Sequence, residues 1–116
     1  MKILLIDDEN TILDSLEQLL TLFGHDVVTA TDGQDGLEKY FHHPQTFDAV
    51  VTDIDMPKVD GVAFTETLIA KGHPTPTIFM TGNPDTPNLS HINHLGVLRK
   101  PFKITNLLDL LPQVEA

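Results

Sequence analysis

The chain has no cysteine among its 116 residues. Disulfides and thiolate chemistry are therefore excluded, and zinc loses its usual structural ligand. Positive charge is scarce, with 7 Lys and Arg against 17 Asp and Glu and a formal net charge of −10. No basic run exists, which argues against direct nucleic-acid binding by this domain and against attraction to an anionic membrane. Long apolar runs are missing too. No stretch approaches the roughly 18 apolar residues of a membrane span, and the run Ile3-Leu4-Leu5-Ile6 is too short for a signal peptide and meets an acidic cluster at once. Neither a G-x-G-x-x-G fingerprint nor a Walker A sequence is present. A soluble, cytoplasmic protein is expected.

What is there suits one modest core: 41% apolar and 21% charged residues in a chain of single-domain length. Residues 3–6 are wholly apolar and read as a buried parallel strand ending in Asp7-Asp8-Glu9. Residues 11–23 carry Ile12, Leu16, Leu19, Leu20 and Phe23 at helical spacing, with Gly24 as a stop. The β-branched stretch 25–30 reads as a second strand. After the Asp32-Gly33 turn, residues 34–42 read as a helix anchored by Leu37 and Phe41. A third strand over 47–51 delivers Asp53 to a loop, and a helix over 62–71 follows. Residues 77–80 and 97–99 read as two more strands, ending at Thr81-Gly82 and Lys100-Pro101. The last helix, over 104–114, sets Ile104, Leu107, Leu108 and Leu111 on one face, and Pro112 ends or kinks it.

Strands alternating with helices over short connections predict a (βα)₅ domain, a five-stranded parallel sheet covered on both faces. Ligands of such sheets gather outside the carboxyl ends of the strands. Four of the five ends carry polar groups: Asp7-Asp8, Asp53, Thr81 and Lys100. With strand order 2-1-3-4-5, Asp7, Asp8 and Asp53 converge, with Asp55 nearby. Crowded carboxylates raise one another's pKa values, and a hard divalent cation such as Mg²⁺ or Mn²⁺ relieves the repulsion. Lys100 adds a mobile positive charge for a phosphoryl oxygen and Thr81 a hydroxyl donor, while a carboxylate is a competent phosphoryl acceptor. Taken singly, each residue has a plainer role: helix caps for Asp7 and Asp8, turn residues for Asp53 and Thr81, a solvated amine for Lys100. Their joint occurrence at strand ends favours a site.

These pieces, Ile3 to Glu9, Asp53-Ile54-Asp55-Met56-Pro57 with Asp60-Gly61, Thr81-Gly82 and Lys100-Pro101-Phe102, resemble the receiver domain of two-component response regulators, in order and over essentially the whole of 1–116. The resemblance implies a flavodoxin-like doubly wound sheet of order 2-1-3-4-5. It implies that Asp53 accepts a phosphoryl group from a sensor histidine kinase or phosphotransfer protein. Mg²⁺ would be held by Asp8, Asp53, Asp7 (partly through water) and the backbone carbonyl of Asp55. Lys100 would pair with the phosphoryl group and Thr81 would move toward it. Pro101 would follow a cis peptide bond, and Gly61 would allow a tight turn. Asp55 and Asn83 would tune a self-catalysed dephosphorylation, so the domain is not an enzyme acting on a separate substrate. A downstream protein, an output domain outside this chain, or a second copy would receive the signal.

Two departures stand out. Val97 occupies the place of the family's switch aromatic. Only 18 residues separate Thr81 from Lys100, and Pro84 and Pro87 crowd the start of the fourth-helix region, so that helix is expected to be short or irregular. The rival readings are a docking module that is never phosphorylated and, from Asp53-Ile54-Asp55, a metal-dependent phosphatase of the haloacid dehalogenase type, whose motif normally follows the first strand. His42-His43, at a helix end, and His91-x-x-His94 invite a metal site with no cysteine to assist, and His91 and His94 alternatively a pH response.

Overall fold

The computed structural model describes residues 1–43 and 46–112. Its centre is a parallel sheet of β1 (Lys2–Ile6), β2 (Asp26–Ala30), β3 (Ala49–Asp53), β4 (Thr77–Thr81) and β5 (Gly96–Arg99), in the order β2-β1-β3-β4-β5. The central strands bury both faces, and this explains their largely apolar character: β3 and β4 are buried throughout, and β1 from Ile3 onward.

Four helices cover the sheet among the described residues: α1 (Asn10–Leu22), α2 (Gly33–His42), α3 (Gly61–Ala70) and α4 (Ile104–Leu110). One core layer sets Ile3, Leu5, Val51 and Met80 against Leu13, Leu16 and Leu20 of α1 and Leu107 of α4. The opposite layer sets Leu4, Ile6 and Val50 against Phe64 and Leu68 of α3, with Leu37 and Tyr40 of α2 at its edge. Asp32 and Asp60 cap α2 and α3, each accepting a backbone N–H three residues on, at 2.8 Å.

Several expectations from the sequence change. β3 starts at Ala49 rather than at residue 47. The cause is Asp48, whose N–H donates to Lys2 O and whose carboxylate accepts Lys2 N–H, both at 2.8 Å, which opens the β1–β3 ladder there. Asp53 is therefore the last residue of the strand itself. In α1 the buried stripe is Leu13, Leu16 and Leu20, while Leu19 and Phe23 face outward. In α2 the inner aromatic is Tyr40; Phe41 lies on the rim, edge-on to His73. The last helix stops at Leu110 because Leu111 precedes Pro112 and takes an extended ψ of 145°; Val114 lies outside the described residues.

Between β4 and β5, residues 82–95 form no helix at all. The irregular segment still seals the sheet. Leu89 and Ile92 are buried against Ile54 and Phe79, with Val62 and Val97 beside them. Val97 thus packs as part of this small core.

Candidate functional site

Register brings the acids together. Ile6 pairs with Thr52 across β1 and β3, so the next residues, Asp7 and Asp53, lie side by side at the carboxyl end of the sheet. Oxygens of Asp7, Asp8 and Asp53 all lie within 4.8 Å of one another. Asp7 is fully buried and Asp53 is 5% exposed, whereas Asp8 faces solvent. Neither Asp7 nor Asp8 caps α1; the cap residue is Glu9, which makes no side-chain cap bond. Asp7 instead accepts Glu9 N–H at 2.9 Å through Oδ1.

Lys100 reaches this cluster from the far side. Its backbone N–H donates to Thr81 O at 2.8 Å, which fixes it beside the end of β4. Its ammonium donates to Asp7 Oδ2 at 2.7 Å and Asp53 Oδ2 at 3.1 Å, with Glu9 at 3.8 Å. The Lys100–Pro101 peptide bond is cis. Burial alone would disfavour the Lys100 charge, but the hydrogen bonds to Asp7 and Asp53 prevail and raise its pKa. Burial also pushes the Asp53 carboxyl above its ordinary value; the Lys100 ammonium opposes this, and the charges of Asp7 and Asp8 add to it.

Three carboxylates against one ammonium leave two negative charges, the charge of one divalent cation. The donors are all oxygen and partly open to water through Asp8, so the residues present fit a hard cation with several waters.

Gly61 closes the loop after β3. Its N–H donates to Ile54 O at 2.9 Å, and a Cβ there would sit 2.1 Å from Asp53 O. Asp55 is exposed on this loop. Thr81 is buried at the end of β4, and its hydroxyl accepts Asn83 N–H at 3.0 Å rather than meeting Asp53. Asn83 is exposed. The sequence reading overlooked Glu9 as a neighbour of Lys100 and took Gly33 for a turn residue only. The signal for Gly33 was its place directly after a capping Asp. His91 meets Glu66 at 3.7 Å, His42 Nδ1 meets Glu38 O, and His94 stacks edge-on against Phe79. Among the described residues the acidic trio is the one group of three or more such ligands that converges.

Residues 3–112 match the family model for the response regulator receiver domain. The transcriptional regulatory protein DltR of Streptococcus agalactiae is 33% identical over 111 residues, which cover 93% of this chain and 49% of that protein. A response regulator receiver domain protein from Clostridium thermocellum has a TM-score of 0.87 at 32% identity, covering 95% of this chain and 90% of the other. TrrA of Thermotoga maritima, solved in complex with Mg²⁺-BeF, has a TM-score of 0.82 at 28% identity and 93% coverage of both chains. The chain spans half or less of the length of such curated relatives.

Proposed function

The chain belongs to the response-regulator receiver family, and from that premise we propose that it is a phosphorylatable signalling receiver whose acceptor is Asp53. The observation that carries this reading is the Lys100 ammonium bridging Asp7 and Asp53 inside a cluster of three carboxylates. Asp8, Asp53, Asp7 and the Asp55 carbonyl would hold Mg²⁺, with Mn²⁺ as an equivalent hard ion. The Mg²⁺-BeF complex of TrrA supports that assignment. When bound, the cation neutralises charge on phosphoryl oxygens and anchors one of them.

The chain's own residues do the rest. A carboxylate oxygen of Asp53 attacks phosphorus of a phosphohistidine on a sensor kinase or phosphotransfer protein. The P–N bond breaks and its electron pair stays on the departing imidazole. Lys100 exchanges the Asp53 oxygen for a phosphoryl oxygen, and the Thr81 hydroxyl leaves Asn83 to donate to another. In dephosphorylation water attacks phosphorus in line, the P–O bond to Asp53 breaks with its electron pair returning to the carboxylate, and inorganic phosphate leaves with the water's oxygen and one of its protons, the other passing to solvent. Asp55 and Asn83 flank that approach and set its rate. Both reactions take place on the domain's own side chain, so no separate substrate is turned over.

Residues 1–116 would act as one receiver unit in the cytoplasm. No helix among the described residues is long and apolar enough to cross a membrane. With Val97 in place of a ring, the Thr81 movement would pass to the Asn83 turn and the 82–95 segment, and from there to a downstream protein, an output domain or a second copy.

A proton and the cation compete for Asp53. Because its pKa lies above the ordinary carboxylate value, Mg²⁺ affinity should hold steady above that raised value. Below it, affinity should fall about tenfold per pH unit. Calorimetric titrations across a pH series measure this; an affinity that is flat into the acid range would remove Asp53 from the cation site. The functional reading is tested by adding beryllofluoride with Mg²⁺ and following thermal stability. The melting temperature should rise for the native chain and stay fixed for Asp53→Asn.

A further inference from the structure

The loop between β3 and α3 is gripped from two sides, and only one grip comes from its own ends. Gly61 lies against Asp53 O. The other grip is Gly33, the first residue of α2, a helix that contributes no side chain to the acidic cluster. Gly33 is buried, and its N–H donates to Val59 O at 3.1 Å. A Cβ on Gly33 would stand 2.0 Å from that oxygen, 2.7 Å from Val59 C and 2.8 Å from Val59 Cβ. Two of those three atoms are backbone, so no rotamer change relieves the clash. Neighbouring contacts reinforce the grip. Asp32, which caps α2, faces Lys58 Nζ at 3.8 Å. Lys58 is the one non-glycine residue with positive φ (67°) among those described, so the chain bends sharply just before the contact. Val59 and Met56 pack, partly buried, against the core layer that holds Leu4, Ile6 and Phe64.

We propose that Gly33 is a positioning residue for the cation site: by letting α2 touch Val59 O directly, it fixes the 54–60 loop and with it the Asp55 carbonyl. This rests on the receiver reading for the identity of the cation, but the clamp itself is a property of the loop. Any residue larger than glycine at 33 pushes the loop off α2 and moves that carbonyl relative to Asp7 and Asp53, which Lys100 holds at the ends of β1 and β3. Outer-sphere groups that orient a ligand typically alter metal affinity by about 10–100-fold.

The test compares Gly33→Ala with Gly36→Ala in the whole chain. Gly36 lies in the same helix, one turn on, and its added Cβ would meet side-chain atoms instead, Ile6 Cδ1 at 2.7 Å and Phe64 Cε2 at 3.2 Å. It is therefore a control for loss of packing. Two quantities are read: amide hydrogen exchange of residues 54–61 without metal, and Mg²⁺ affinity by calorimetry. Gly33→Ala should speed exchange across 54–61 selectively and weaken Mg²⁺ about tenfold. Gly36→Ala should lower stability while leaving Mg²⁺ affinity within about twofold. If Gly33→Ala proves too unstable to purify, Val59→Gly, which loosens the same contact from the loop side, must move both readouts. The clamp is overturned if exchange of 54–61 is unchanged, or if both glycine variants lose Mg²⁺ in step with stability. Failure of the native chain itself to bind Mg²⁺ would instead overturn the receiver reading, with the exchange result still deciding the clamp.

Discussion

Replacing Lys100 by alanine should lower the stability of the metal-free protein by about 3 kcal/mol, and saturating Mg²⁺ should restore much of the loss. Asp7 has no solvent exposure and Asp53 almost none, and the Lys100 ammonium is the cation between them. Deleting it leaves two like charges facing each other in a medium that screens them poorly. Part of the cost will be avoided by protonating Asp53, whose pKa is already raised, so the loss should grow from acid toward neutral pH. A divalent cation in the same cluster takes over the role of counter-charge, and this produces the rescue. Urea unfolding with and without Mg²⁺ measures both effects. Lys103→Ala, an exposed lysine three residues on, is the control and should change stability by less than about 0.5 kcal/mol. If Lys100→Ala unfolds at the native urea midpoint without metal, the buried charge cluster does not have the energetics assigned to it.

Asp53→Asn should act with the opposite sign on stability and remove function entirely. Ionised Asp53 is held in the fold against burial and against Asp7 and Asp8. A carboxyl whose folded pKa is raised costs the native state stability as pH climbs from the ordinary carboxylate value to the raised one, and the loss is complete above it. Asparagine keeps the shape without the charge, so the metal-free variant should be more stable than the native chain at neutral pH, read as a higher melting temperature. The difference should shrink as pH falls through the raised pKa and vanish below the ordinary carboxylate value, where Asp53 is neutral in the folded and the unfolded chain alike. Phosphoryl incorporation should be absent in the variant at every pH. A variant less stable than the native chain at neutral pH, with a gap that closes in acid, would show that the Lys100 contact outweighs the repulsion.

The parallel strands and the acidic edge were legible in the sequence because they follow from simple patterns, while the strand order was implied by the resemblance to receiver domains. Unbroken apolar runs at 3–6 and 78–80 identify strands buried on both faces, and the polar residue ending each run marks the ligand edge. Asp7, Asp8, Asp53 and Lys100 meet for that reason. Helix faces were less legible. The α1 segment is so rich in leucine that spacing alone does not separate the buried Leu13, Leu16 and Leu20 from the outward Leu19 and Phe23. The same ambiguity exchanged Tyr40 and Phe41. Pro84 and Pro87 announced an irregular stretch after β4, but not that Leu89 and Ile92 would fill a helix's place on the sheet. Gly33 was hidden for a different reason. Its neighbour Val59 lies 26 positions away, and a glycine required by a close approach looks in sequence like any turn glycine. Thr81 was expected at the site and lies at its edge, its hydroxyl turned to Asn83.

The central claim is that Asp53 becomes a phosphoryl aspartate in a cation-dependent reaction. The most direct measurement is intact mass after incubation with a small phosphodonor, with and without Mg²⁺, beside Asp53→Asn. The account predicts a gain of one phosphoryl group that requires Mg²⁺, disappears in the variant, and decays with time as water reclaims the carboxylate. A native chain that gains no mass at any time point with Mg²⁺, and whose stability beryllofluoride does not change, would contradict it and leave a protein-docking module in its place.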